Sequence, residues 1–372
     1  MLRPDIMKTP CIIKFKGTVP CWGPSFEAGE GVALIGRARL GEGIILRPWS
    51  ALRGDGNFIE IGNNCIFLDR STVHIADSVY PTRMGNNIFV GRFSLVHACT
   101  IGDDCILGDA AVVMDNSTIG EGAVIGAGSL VPPGKALEGG WLYQGNPARP
   151  VREVTVSERA AWKEMLLTGA TDTPVNLNHE LPELSMDPFL RAASGTGPLY
   201  TLGMQAPRID PKGYVAPTAA VIGDVTASDG TSIWFSTVML ADGVSITVGK
   251  NSNVQDNSIL VTDDKRGPIT IGQDVTVGHN VRMGSCQVGD RCLIGMGSEI
   301  CDGVVVEDGA IVGARAYVKS GTVVKAGYIW AGRPATEFRL VKPEEQTMFQ
   351  RGTEVYVGYS QTYLEGKTGL LI

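Results

Sequence analysis

A period of six runs through this chain and limits what it can fold into. Residues 101 to 131 read IGDDCI LGDAAV VMDNST IGEGAV IGAGSL V, and every hexapeptide opens on an aliphatic residue. From residue 288 the pattern returns as VGDRCL IGMGSE ICDGVV VEDGAI VGARAY V. A repeat of six sustained this long matches neither the 3.6 period of an amphipathic helix nor the alternation of a half-buried strand. It is the signature of a parallel β-helix. Each hexapeptide supplies a short strand and a corner. The leading Ile, Val or Leu points inward, while Gly, Asp or Asn serves the turn. Three hexapeptides close one triangular coil, and successive coils hydrogen-bond about 4.8 Å apart.

Composition agrees with this reading. Among 372 residues there are 48 glycines and only 7% aromatics, which disfavours a helical bundle and suits short strands joined by tight turns. The net charge of −7 argues against a nucleic-acid partner, which would call for a basic surface. No stretch approaches the 18 apolar residues of a transmembrane segment. Eight cysteines are scattered without a CxxC pair, so a reducing compartment and apolar core positions are expected for them. Arg3, Lys8, Lys14 and Lys16 against Asp5 fit the remnant of an organelle-targeting segment.

A coarser period is a duplication. Gly62 matches Gly249, Asp69 matches Asp256, Gly91 matches Gly278 and Gly102 matches Gly289, each at an offset of 187. Both copies end alike, with WLYQGNPARP at 141–150 and YIWAGRPATE at 328–337. A helix is expected after each end. Thr155-Val-Ser-Glu158 has capping-box spacing, with Val156, Ala160 and Leu166 as its apolar face. Pro343-Glu-Glu opens a second helix with positions 348, 352, 355, 356, 359 and 363 on one side. Each helix should lie along its own β-helix. Residues 169–205 carry neither period, so the expected division is a β-helix plus helix at 1–168, a linker at 169–205 and a second β-helix plus helix at 206–372.

RGD at 53–55, LDRSTVH at 68–74, GR…VH at 91–97, YQGNPAR, VQDNSIL at 254–260 and VGHNV at 277–281 resemble γ-class carbonic anhydrases and their relatives. The resemblance covers about 300 residues of the chain. It implies left-handed β-helices assembled in threes, with zinc between neighbours: two histidines from one β-helix, a third from the next, and carbon dioxide hydrated to bicarbonate. Three neutral imidazoles leave one tetrahedral position open, and zinc lowers the pKa of water there to roughly 7.

Carried over residue by residue, the family pattern is divided between the copies. The first copy has the paired ligands, His74 and His97, but Arg92 where the single ligand belongs. The second has the single ligand, His279, but Val261 and Gly284 at the paired positions. His179, in the linker, is the fourth and last histidine. The glutamine that the family places beside the reacting water, a catalytic position, falls on Gln255 in the second copy and on Leu68 in the first. The resemblance implies an interface ion pair formed by Arg53, Asp55, Asp69 and Asp256, with Ala241 near the arginine position of the second copy.

A closed ring of three has directed interfaces, so two fused copies leave one place for a third γ-carbonic-anhydrase-like β-helix from another chain. Two orders are open. In one, His74, His97 and His279 meet within this chain. In the other, Val261, Gly284 and Arg92 meet instead, and every histidine faces the third β-helix. The resemblance extends to the γ-carbonic-anhydrase-like accessory subunits of mitochondrial complex I (NADH dehydrogenase), heterotrimers on the matrix face of its membrane arm in the inner membrane. The favoured reading is such a subunit, mainly structural, with one zinc site retained. The alternatives are an active zinc carbonic anhydrase and a hexapeptide acyltransferase.

Overall fold

The computed structural model describes residues 10–168 and 197–365, and the backbone of a last strand, Thr368–Leu370. Arg3, Lys8, His179 and residues 169–196 of the expected linker lie outside the described residues. Leu199–Tyr200 already pairs with Val221–Ile222 of the second β-helix.

The chain builds two parallel β-helices of stacked coils. Aliphatic residues that open the hexapeptides point into each coil and stack in rows along its axis. Leu34, Leu52, Val73, Val96, Val113 and Val131 form one such buried row. Its counterpart in the second copy is Val221, Met239, Leu260, Met283, Ile300 and Val318, each 187 residues on.

Two faces of each β-helix share one long strand that bends around a corner. Ala51–Ile61 pairs through its first half with Thr72–His74 and through its second half with Thr82–Met84. Val238–Val248 does the same with Ile259–Asp263 and Ile269–Ile271. An eight-stranded sheet closes the third face of each copy. The parallel register sets Leu95–His97 directly over Thr72–His74, so His97 pairs with His74.

Strand register corrects one alignment. Gly36 pairs with Gly54, and Gly223 pairs with Ala241. Ala241 therefore stands at the place of Gly54, and Leu240 at the place of Arg53. The corners also depart from expectation. Asn64, Asn87 and Asp104 take positive φ as their residue types suggest, but so do Arg70 (55°), Phe93 (53°) and Arg315 (57°). Such side chains accept left-handed strain where the coil demands a corner.

Helix α1, Val156–Thr168, begins with the expected capping contacts: Thr155 N–H donates to Glu158 Oε2 (2.9 Å) and Glu158 N–H to Thr155 Oγ1 (3.3 Å). Its packing face differs from the expected one. Trp162 and Leu166 lie on Leu68, Phe89, Ile106 and Val124, while Val156 and Ala160 are exposed. Val156 sits too early in the first turn to reach the sheet.

Helix α2, Pro343–Leu364, is longer and lies along the eight-stranded face of the second copy. Tyr356, Tyr359 and Tyr363 are its buried aromatic residues, and Met348 is exposed. Its far end also reaches the first copy, against expectation. Tyr359 donates to Asp77, and Tyr363 lies 5.2 Å from Phe15 between ring centroids. Among the described residues no helix is long and apolar enough to cross a membrane.

Candidate metal centre

The two β-helices meet along a seam that selects between the two orders. The face of the first copy carrying His74 and His97 meets the corner of the second copy carrying His279. Asn257 Nδ2 donates to Thr72 Oγ1 (3.0 Å), which donates onward to Asn280 Oδ1 (2.9 Å). Arg70 Nη1 donates to the Ser236 carbonyl, and Asn280 Nδ2 to the Phe93 carbonyl, both at 3.0 Å. Further along, Leu95, Val112 and Leu130 pack against Met296 and Ala314.

His74, His97 and His279 converge at this seam, all buried, each offering one nitrogen within 4.8 Å of the others. Their ring centroids are 4.8 to 5.5 Å apart. His74 Nδ1 and His97 Nε2 face each other at 3.2 Å. The opposite nitrogen of each ring meets a carboxylate. His97 Nδ1 is 2.6 Å from Asp115 Oδ1, and His74 Nε2 is 3.3 Å from Asp55 Oδ1. His279 Nδ1 is 3.0 Å from Asp256 Oδ2, close but off the line of a good hydrogen bond. A carboxylate behind each imidazole fixes tautomer and orientation, as it does for metal-binding histidines. Three imidazoles, each with a nitrogen within 4.8 Å of the others, match the donor set of an open tetrahedral zinc site.

Charge around the rings is tightly compensated. Arg53, fully buried, donates from Nη1 to Asp55 (2.5 Å), from Nε to Asp256 across the seam (3.1 Å) and from Nη2 to Tyr356 Oη (3.0 Å). Its guanidinium stacks 4.4 Å from the Trp234 ring centroid. Burial works against its charge, but Asp256 and Asp55 outweigh this and hold it protonated. Burial would also raise Asp256, yet Arg53 and His279 bring its carboxyl down to about 2. Burial, more than the Asp256 charge can offset, puts His279 at about 4, and burial with Arg53 pushes His74 down as well. Both imidazoles are therefore neutral at pH 7, the form that binds metal.

The other singled-out positions lie apart. Arg92 turns to Asp109 of its own copy (3.4 Å) and to the Leu166 carbonyl of α1 (3.5 Å). Val261 and Gly284 sit half-buried on the second copy's counterpart of the His74 and His97 face. Asp69 is half-buried at the corner matching that of Asp256, and takes part in no ion pair among the described residues. Gln255 precedes Asp256 at the seam. Its Nε2 donates to Asn253 Oδ1 (3.0 Å), and its buried Oε1 has no hydrogen-bond partner.

Two participants were missed in the sequence. Asp115 lies 18 residues after His97, one full coil along, a spacing that could have revealed it. Tyr356, 3.3 Å from His279 Nε2, is legible in the sequence only as part of a helix face.

The bacterial transferase hexapeptide (six repeats) model matches residues 98–133 and 285–320. Protein YrdA of Escherichia coli is 34% identical over 152 residues, covering 39% of this chain and 83% of YrdA. The chain belongs to the γ-carbonic-anhydrase-like hexapeptide-repeat family. Within this family, gamma carbonic anhydrase 1, mitochondrial, of Arabidopsis thaliana is 37% identical over 133 residues, 34% of this chain. This chain spans about half (48%) of that plant protein's length. A crystal structure of a hexapeptide transferase family protein from Anaplasma phagocytophilum is 36% identical, covering 44% of this chain and 95% of that one at a TM-score of 0.42.

Proposed function

We propose that this chain fills two places of a three-membered γ-carbonic-anhydrase-like β-helix ring and holds one zinc ion at its internal seam. His74, His97 and His279 would hold the metal. When bound, zinc supplies Lewis acidity toward a water ligand at neutral pH. Asp55, Asp115 and Asp256 orient the three rings, and Arg53 balances the two carboxylates nearest to it. The observation that carries this reading is the convergence of three histidines from two copies at one seam. The matching positions elsewhere hold Arg92, Val261 and Gly284, so the ring contains one metal site rather than three.

A member of a fixed heterotrimer can lose ligands unevenly, whereas a free homotrimer cannot. This favours a mainly structural role, as an accessory subunit on the matrix face of the mitochondrial complex I membrane arm. The mitochondrial location is supported by the names of the plant relatives. Carbonic anhydrase activity is the second reading, favoured by the complete histidine set.

Metal analysis of the purified full chain tests the site. One zinc per chain is expected, and it should be lost in His279→Ala. A wild-type chain without zinc ends the metal reading, and zinc retained in the variant ends the assignment of His279. Stopped-flow CO2 hydration separates the two roles. On a native gel the chain should migrate with a large membrane complex. Migration only as a small soluble ring overturns the structural role.

A further inference from the structure

A groove of about 400 Å³ is lined by Phe93 and Ala110 of the first copy and, in the second, by Arg282, Glu299 and Arg315 among others. Its cations are poorly matched. Arg282 is exposed, and its guanidinium stacks 4.9 Å from the Phe93 ring centroid. Among the described residues that guanidinium takes part in no hydrogen bond and no ion pair. Arg315 is only 9% exposed. Its Nε and Nη2 both donate to the Gly128 carbonyl, at 3.3 and 3.0 Å, and its Nη1 has no acceptor among the described residues. Glu299 is the one carboxylate lining the groove, and Arg333 already holds it at 2.9 Å. The offset of 187 puts Leu95, Val112, Gly128 and Asn146 at the first copy's places for Arg282, Glu299, Arg315 and Arg333. The coil therefore does not require these charges.

Three cations (Arg282, Arg315, Arg333) against one carboxylate (Glu299) leave two positive charges in excess, in a chain whose net charge is −7. Burial and the Arg333 guanidinium hold Arg315 below the ordinary arginine value. Glu299 offsets part of this, and Arg282 adds to it. A nearly buried cation beside two others is costly unless an anion joins it. We propose that the groove binds a phosphate dianion, either inorganic phosphate or the phosphomonoester group of a small molecule. A guanidinium presents paired N–H donors that match phosphate oxygens, and such charge-assisted bonds are about twice as strong as neutral ones. A phosphomonoester carries about 1.5–2 negative charges at pH 7, which meets the excess. A carboxylate carries one and leaves a cation unmatched. The inference stands on this groove alone and requires neither the three-membered ring nor the metal.

Calorimetric titration of the full chain with inorganic phosphate should show one site per chain, weakening as salt is raised. A parallel titration with glycerol 3-phosphate identifies the source: the tighter of the two marks the site as one for the free ion or for an ester. Arg282→Met and Arg315→Met should each weaken binding about tenfold. Glu299→Gln removes the groove's one negative charge, releases Arg333 and should tighten binding. These opposite directions separate a ligand role from a merely structural one, because a structural role of Arg315 predicts neither the loss with Arg282→Met nor the gain with Glu299→Gln. Arg282 is exposed, so its variant keeps the test open if Arg315→Met does not fold. The melting midpoint gives a second readout: phosphate should raise it in wild type and not in Arg282→Met. Absence of phosphate binding, equal affinity in Arg282→Met, or acetate binding as tightly as phosphate overturns the inference. Zinc content should be the same in wild type, Arg282→Met and Glu299→Gln, so failure here is distinct from failure of the metal reading.

Discussion

Arg53 and Asp256, 203 positions apart, form a fully buried ion pair 3.1 Å long that joins the two β-helices behind the three histidines. The pair is part of a larger set, because Arg53 also holds Asp55 and Tyr356. Removing the cation alone leaves two buried carboxylates uncompensated. Arg53→Met should cost about 3–5 kcal/mol in urea denaturation. Adding Asp256→Asn should recover part of that loss. A single-variant cost under about 1 kcal/mol, within the range of an exposed pair, would show that the pair does not hold the seam.

Tyr356 accepts from Arg53 and contacts His279, while its ring packs 5.2 Å from the Trp234 centroid. Tyr356→Phe keeps the packing and removes the hydroxyl. The expected loss is about 1–2 kcal/mol by denaturation, with zinc content retained because Tyr356 is not a ligand. Loss of the metal would assign the hydroxyl a larger role than this geometry gives it.

Leu95 is fully buried at the internal seam. Leu95→Ala opens a cavity between the copies rather than within one, and should cost about 2–5 kcal/mol. If the melting transition does not move, the apolar row is not a working contact.

Glu345 begins α2, where Arg339 and the Lys342 backbone N–H bring its carboxyl down to about 2. The folded value lies below the ordinary glutamate value of about 4.3. Its contribution is therefore fully present above that value and fades as pH falls toward 2. The stability gap between wild type and Glu345→Gln should be constant from pH 6 to 8, shrink through pH 4 and close near pH 2. A gap that widens on acidification would reverse the sign and refute the contact.

The coil was legible because inward positions recur every six residues, so a row such as Leu34 to Val131 can be written from the sequence. The offset of 187 carried that row, and the divided histidines, from one copy to the other. What could not be read was the order of the copies. It depends on contacts such as Thr72 to Asn280 and Arg70 to the Ser236 carbonyl, which span 208 and 166 positions and follow no local pattern. The corners taken by Arg70, Phe93 and Arg315 escaped for a different reason. Residue preference suggests glycine or asparagine there, and the stacked coils override it. Tyr356 was visible as a helix position, but its reach toward Arg53 of the other copy is a tertiary fact.

His74 and His97 belong to the same covalent chain as His279. In a ring of separate subunits, a site shared between neighbours empties whenever dilution separates them. Here its formation is a unimolecular step, governed by an effective concentration that dilution leaves untouched. The three histidines can thus come together on a newly made chain by themselves, and under the proposed function metal loading would not wait for a third member.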